Sequence, residues 1–361
     1  MKVLVTGAGG FIGKAVVKRL KNDFKDIELY QILNRRAPQP ENVSGKKESE
    51  KKETAKKETE KKESAEEKIN SNEKLRIFEI DITDDKQVSE LEKICGIDAV
   101  VHSAGLAHQF GKVKASDFFS VNVEGAKNVL KLGERLKIKH FILISSVSVY
   151  GNAKQFQTGT EGITEESDCA PEDAYAESKL HAESLARQIC ARAGINLTIL
   201  RPATVIGEGD KGNFLRLIKT IDKKRFFWIG KGTNYKSLIH CEDVAAAVSI
   251  LLKEKKNKTE IFNVSAESLR MNEIVEAICE TLGKGVSRLS INRRVLAPVF
   301  LINSVLLKSK KIGKAQKTVE KWLADDVYSN QKLKDKYEFE PEIKVREAIR
   351  REVRWYLSEK S

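Results

Sequence analysis

These 361 residues contain no pattern of a metal centre, a disulfide framework or a membrane span. The five cysteines, Cys95, Cys169, Cys190, Cys241 and Cys279, form no C-x-x-C pair and have no histidine at metal-ligand spacing. Free thiols, a reducing compartment and no metal are therefore expected. No apolar run reaches the roughly 18 residues that a bilayer span requires. The longest, Val295–Leu307, is interrupted by Pro298, Asn303 and Ser304. No leader precedes the first strand-like segment, Met1–Thr6, so a cytoplasmic location is the expectation. The net charge of +13 comes without zinc-finger spacing and without a basic stretch interleaved with stacking aromatics, so nucleic acid is not an expected partner. The excess is local, with 19 Lys or Arg against 10 Asp or Glu from Lys284 to Ser361. A phosphate-bearing substrate or an anionic membrane surface accounts for that bias.

What is present is a core and a strong alternation. Hydrophobic residues make up 40% of the chain. One stretch stands apart: from Lys46 to Ala65 a pentapeptide Lys-Lys-Glu-(Ser/Thr)-x repeats four times. It lacks the apolar surface that would offset the entropy of ordering it, so residues 38–72 are read as a solvated loop inserted in the fold. Elsewhere short apolar strands alternate with helices. The strands are Lys2–Thr6, Glu28–Leu33, Arg76–Ile80, Ala99–Ser103, Phe141–Ser145, Leu197–Leu200 and Ile261–Val264. Between them lie helical patterns at Ile12–Lys21, Lys86–Ile94, Phe118–Leu136 and Tyr175–Ala193. This predicts an α/β fold, a doubly wound parallel sheet over 1–206 to which 237–265 returns. Residues 207–236 and 266–361 form a smaller C-terminal lobe that binds substrate.

The first strand runs into Gly7-Ala8-Gly9-Gly10-Phe11-Ile12-Gly13 and then a helix. Glycines here permit the tight turn, let a pyrophosphate approach the backbone and bring helix onto strand. The sheet is thus Rossmann-type, and Gly7, Gly10, Phe11, Ile12 and Gly13 are cofactor candidates. The second strand ends in Asn34-Arg35-Arg36 with no carboxylate, which leans toward NADP rather than NAD. Tyr175 and Lys179 stand four apart and share one helical face. A free phenol near pKa ~10 is a poor acid at neutral pH. An ammonium and an oxidised nicotinamide ring beside it are expected to lower that value together. Ser146, at a strand end, can hydrogen-bond the same reacting oxygen.

With these motifs in place the chain resembles the extended short-chain dehydrogenase/reductases, in the NAD-dependent nucleotide-sugar epimerase/dehydratase branch. The resemblance covers nearly the whole chain outside the Lys/Glu repeat. It implies a catalytic set of Ser146, Tyr175 and Lys179. It implies cofactor contacts from Asp81 and Ile82, from Ser103, Ala104 and Gly105, from Asn122, and from Pro202 and Ala203. It also implies substrate contacts from Ser146 and Thr204, and diphosphate contacts from Asn213 and from Lys236, which stands where an arginine is usual. Val147-Ser148 replaces the acidic pair of the dehydratases, which disfavours 4,6-dehydration. Hydride transfer at C4 of a nucleoside-diphosphate sugar is the expected reaction, as a 4-epimerase of the UDP-glucose 4-epimerase type or a 4-ketoreductase. A 3β-hydroxysteroid-type dehydrogenase and a non-catalytic NADP-binding sensor stand as alternatives. Val295–Leu307, flanked by Arg293, Arg294, Lys308, Lys310 and Lys311, suits peripheral contact with an anionic inner-membrane face as well as a core or homodimer helix.

Overall fold

The computed structural model describes residues 1–34, 67–70, 75–107, 113–151, 162–254, 259–292, 316 and 319–360. In chain order the main elements are β1 (Lys2–Thr6), α1 (Phe11–Asp23), β2 (Glu28–Leu33), β3 (Glu67–Asn70), β4 (Leu75–Glu79), α2 (Asp85–Ser89) and β5 (Ala99–His102). They continue with α3 (Ala115–Phe119), α4 (Gly125–Arg135), β6 (His140–Ile144), α5 (Ala174–Ala193), β7 (Asn196–Pro202), β8 (Thr204–Ile206) and α6 (Asn213–Asp222). The last are β9 (Trp228–Ile229), β10 (Tyr235–His240), α7 (Cys241–Lys253), β11 (Glu260–Val264), β12 (Ser268–Arg270), α8 (Met271–Leu282), β13 (Ser290–Ile291), α9 (Gln331–Tyr337) and α10 (Val345–Ser358).

The large sheet has the order β11-β7-β6-β5-β1-β2-β4-β3, all parallel except β3. Its strands read as mostly apolar runs because helices cover both faces. Val3 and Val5 enter the core under α1 and α7, whereas Leu4 enters the core on the opposite face with residues of α4 and α5. Val101 and Val100, then Ile142 and Phe141, divide in the same way. The period of two along each strand therefore builds two cores at once.

Part of the inserted stretch belongs to the sheet: Glu67–Asn70, read from sequence as loop, pairs antiparallel with β4. With Ile69 as its one large apolar residue, the sequence fits an edge position, where the backbone ladder rather than a core face holds the strand. The repeat itself lies outside the described residues, as does Val295–Leu307. The return of 237–265 is also partial. Only β11 joins the large sheet, beside β7, while β10 lies in a separate three-stranded sheet with β8 and β12. The smaller lobe has its own core, in which Phe214 and Ile218 of α6 meet Ile274 and Ile278 of α8 and Ile349 and Val353 of α10. No helix among the described residues is long and apolar enough to cross a membrane.

Candidate active site

Strand order reverses about β1, with β2 and β4 on one side and β5, β6 and β7 on the other. Ligands bind at such a switch point, beyond the carboxyl ends of the strands. The loop after β1 meets the loop after β5 there. Gly7 has φ +67°, and a Cβ on it would fall 2.6 Å from the Ala104 nitrogen. A Cβ on Gly13 would fall 2.0 Å from the Gly7 carbonyl oxygen, so only glycine lets α1 start this close to β1. Gly10 donates its N–H to Gly7 O at 2.8 Å. The N-terminus of α1 has no side-chain cap and no acidic residue in its first turn, and Gly9 and Gly10 are exposed. This bare, positively polarised cradle fits a dinucleotide pyrophosphate.

The segment after β5 is bound to the same strand end. Ser103 donates its hydroxyl to Thr6 O at 2.7 Å, and the Ala104 N–H reaches Thr6 Oγ1 at 3.3 Å. Gly105 leaves room for the helix that carries Tyr175 and Lys179: a Cβ would lie 3.0 Å from Lys179 Nζ and 3.1 Å from Asn122 Oδ1. Asn122 sits in a π-helical turn, Ser120–Glu124, between α3 and α4. Such turns often mark functional positions. Its Oδ1 accepts from Leu106 N at 2.7 Å, and its Nδ2 donates to Leu106 O and Ser178 Oγ. Asn122 thus links the cofactor loop to α5 by its own bonds. On the far side, buried Asp81 accepts from the backbone and hydroxyl of Thr83, and Asn128 holds the Ile82 carbonyl. Asn34 closes β2 as an exposed residue; Arg35 and Arg36 lie outside the described residues.

Helix α5 starts at Asp173, whose carboxylate accepts the Ala176 N–H at 2.9 Å, and stops at Gly194 in a left-handed conformation. Capping sets Tyr175 in the first turn and Lys179 one turn later, facing the sheet. Half-buried Tyr175 packs edge-on to Phe118 and hydrogen-bonds Ser146, which follows β6. From the protein groups alone the Tyr175 pKa is raised. Burial raises it, the Ser146 hydrogen bond lowers it, and nearby Asp173 adds to the rise. The reason is where the ammonium points: Lys179 is buried and donates to Ile144 O at 3.0 Å. Burial lowers the Lys179 pKa to about 8, against an opposing pull from Glu183.

Pro202 and Ala203 are buried at the end of β7, where Ala203 N bonds Val264 O. Thr204 and Asn213 are exposed, Asn213 as the first residue of α6. Lys236 is already engaged, ion-paired with Asp326 and donating to Lys321 O at 2.9 Å. A diphosphate contact from it would require that pair to open.

Two buried networks under this edge carry no motif that the sequence reading caught. Glu183 extends the Tyr175, Lys179 stripe by four more residues and forks onto Arg201, at 3.0 Å to Nε and 2.6 Å to Nη2. Ser145 donates to the same carboxylate at 2.6 Å, and Arg201 donates on to Tyr150 at 2.8 Å. In the smaller lobe, fully buried Glu352 of α10 accepts the Gly207 N–H at 2.8 Å. Its second oxygen has no partner as an anion among the described residues, and Asp210, which caps the start of α6, stands beside it. Two carboxylates can bond only by sharing a proton. Burial and then Asp210 push the Glu352 pKa up to about 9. The folded state therefore holds a proton that the unfolded chain releases, so this contribution is full below about pH 4.5 and lost as pH rises through about 9. Glu352→Gln mimics the protonated acid. It should leave the melting temperature unchanged at pH 5 and raise it at pH 9; an equal shift at both values would disprove the shared proton.

The family model described as NAD dependent epimerase/dehydratase family matches residues 3–265. The N-acetyl-alpha-D-glucosaminyl-diphospho-ditrans,octacis-undecaprenol 4-epimerase of Escherichia coli O157:H7 is 32% identical over 198 residues, covering 54% of this chain and 58% of that protein. The UDP-glucose 4-epimerase of Lactobacillus helveticus is 26% identical over 309 residues, 78% of this chain and 82% of that one. The crystal structure of a UDP-glucuronic acid 4-epimerase from Bacillus cereus in complex with NAD superposes with TM-score 0.71 at 20% identity, covering 100% of both chains. That likeness bears on the fold. With the glycine cradle, the Tyr175–Ser146 pair and a family match over most of its length, the chain belongs to the NAD-dependent epimerase/dehydratase family.

Proposed function

We propose that the chain is a 4-epimerase acting on a nucleoside-diphosphate hexose. The observation that carries this reading is the Tyr175 phenol bonded to Ser146 at the strand edge that also holds the glycine cradle. A nicotinamide dinucleotide, held by the glycine cradle of Gly7, Gly10 and Gly13, would supply the hydride acceptor and donor for the sugar carbon. Tyr175 takes and returns the hydroxyl proton at that carbon, and Ser146 steadies the same oxygen. Lys179 holds positive charge beneath them, anchored to the Ile144 carbonyl. Thr204 and Asn213 open toward solvent where a sugar and its diphosphate would lie, and binding of that remote group would orient the ring.

The test is product chromatography against UDP-, dTDP- and GDP-hexoses and their 4-keto forms. Interconversion of C4 epimers without net NAD(P)H change supports the proposal; turnover of a sterol alone would replace the substrate reading. Cofactor retained through purification favours epimerase over ketoreductase, because an epimerase reuses its cofactor in every cycle.

A second substrate reading has support of its own. The Escherichia coli relative is named for a polyprenyl-diphospho sugar, and this chain holds no acidic residue between Glu280 and Glu320. A detergent-dispersed polyprenyl-diphospho-sugar belongs in the same panel. Membrane contact through 293–311 and a homodimer are part of the proposal.

Arg35 and Arg36, with no carboxylate after β2, favour the 2′-phosphate of NADP. Titration should show tighter NADP than NAD binding, and Arg35→Asp should erode the difference. Preference of the unmodified chain for NAD would refute it.

A further inference from the structure

The exposed large apolar side chains among the described residues are Met1, Phe227, Val286 and Leu289, and all but Met1 lie on one corner of the smaller lobe. Strand pairing brings them together. β9 and β13 run parallel with Trp228 opposite Ser290, and Trp228 N bonds Leu289 O at 2.8 Å. That register sets Phe227 beside Leu289. Side chains alternate along a strand. Trp228 packs inward on Phe226, so its neighbour Phe227 and the paired Leu289 point outward, 45% and 71% exposed.

The charge around these tips has one sign. No Asp or Glu occurs from Lys223 to Cys241, nor from Thr281 to Asn292, and these are the two stretches that β9 and β13 join. Lys223, Lys224, Arg225 and Arg288 are exposed on them. The nearest acid in the chain, Asp222, is neutralised by Lys284 and Lys360. Between the two stretches lies a cavity of about 460 Å³ lined by Lys224, Phe226, Gly283, Lys284, Gly285 and Ser287. Apolar tips beside exposed Lys223, Lys224, Arg225 and Arg288 match a bilayer with an anionic surface. The tips enter the acyl boundary while the cations remain among the headgroups.

We infer that this corner, built on Phe227 and Leu289 and rimmed by Lys223, Lys224, Arg225 and Arg288, docks the protein on an anionic lipid bilayer. The inference is independent of which sugar substrate is used, since it rests on neither the active site nor residues 293–315.

The test is co-sedimentation of the full chain with vesicles of phosphatidylglycerol and phosphatidylcholine in equal parts, and with phosphatidylcholine alone. Binding should be selective for the anionic vesicles and should weaken as salt is raised. Phe227→Ser with Leu289→Ser should weaken it about tenfold or more. The melting temperature and the turnover of a water-soluble substrate should be unchanged. Absence of binding at low salt, or equal binding to neutral vesicles, overturns the inference. Undiminished binding by the double variant does so too, because it moves the contact elsewhere. If the unmodified chain is a dimer in solution and the double variant a monomer, a second copy covers the corner and the inference fails.

Discussion

Tyr175→Phe should bind the dinucleotide as the unmodified chain does and lose about 10²–10⁴-fold in turnover, the usual worth of a positioned acid–base group. The substitution removes one oxygen and leaves the ring, so the edge contact with Phe118 survives. What disappears is the group that shares a proton with the reacting oxygen and the hydrogen bond to Ser146. Because burial and Asp173 hold the phenol protonated, Tyr175 enters the cycle as an acid when a ketone is reduced. Oxidation of an alcohol needs the phenolate, which a positively charged nicotinamide nearby would favour. The oxidative half-reaction should therefore gain rate as pH rises through neutrality, and Tyr175→Phe should flatten that dependence. Cofactor titration and single-turnover kinetics on the two directions check both statements. Near-normal turnover by Tyr175→Phe would remove Tyr175 from the chemistry.

Arg201→Ala should have the largest effect on stability, about 3–5 kcal/mol, as expected when one partner of a buried ion pair is deleted. Arg201 is 2% exposed and Glu183 is fully buried, so the carboxylate left behind would keep only the longer contact, 3.6 Å, to the exposed Arg187 as its ion pair. The loss would also be felt at the site. Glu183 lies one turn beyond Lys179, Ser145 precedes Ser146, and Arg201 precedes Pro202. One carboxylate thus bonds residues adjoining three separate parts of the active site. Denaturant unfolding gives the stability change. The double variant Glu183→Leu, Arg201→Met should recover much of it, because neither charge then remains buried. A loss from Arg201→Ala of under about 1 kcal/mol would show that the pair is not a principal support of the fold.

Much of this protein is determined by local sequence. The seven parallel strands fall within a residue or two of the apolar runs, because a sheet covered on both faces needs every strand position apolar and leaves a continuous signal. Gly7 and Gly13 are legible for a related reason: turn and close packing there are satisfied only by glycine. Tyr175 and Lys179 need only the helical period to share a face, and Asp173 marks where that helix begins.

What escaped the sequence depends on partners far away along the chain. Glu67–Asn70 has no apolar pattern, and β4 alone makes it a strand. Lys236 looks like an ordinary position in a motif, yet it is held by Asp326, 90 residues on. Arg201 of β7 pairs with Glu183 of α5, and Glu352 meets Gly207 across 145 residues. The direction of the Tyr175 pKa follows the same rule. Spacing puts Lys179 four residues away, but its ammonium turns to the Ile144 carbonyl, and burial then outweighs any help to the phenol. Periodicity and glycine constraints are properties of neighbouring residues and can be read one segment at a time. Charge pairing and desolvation are properties of the packed interior, where the cost of a buried charge depends on which distant group reaches it, and only the tertiary structure decides that.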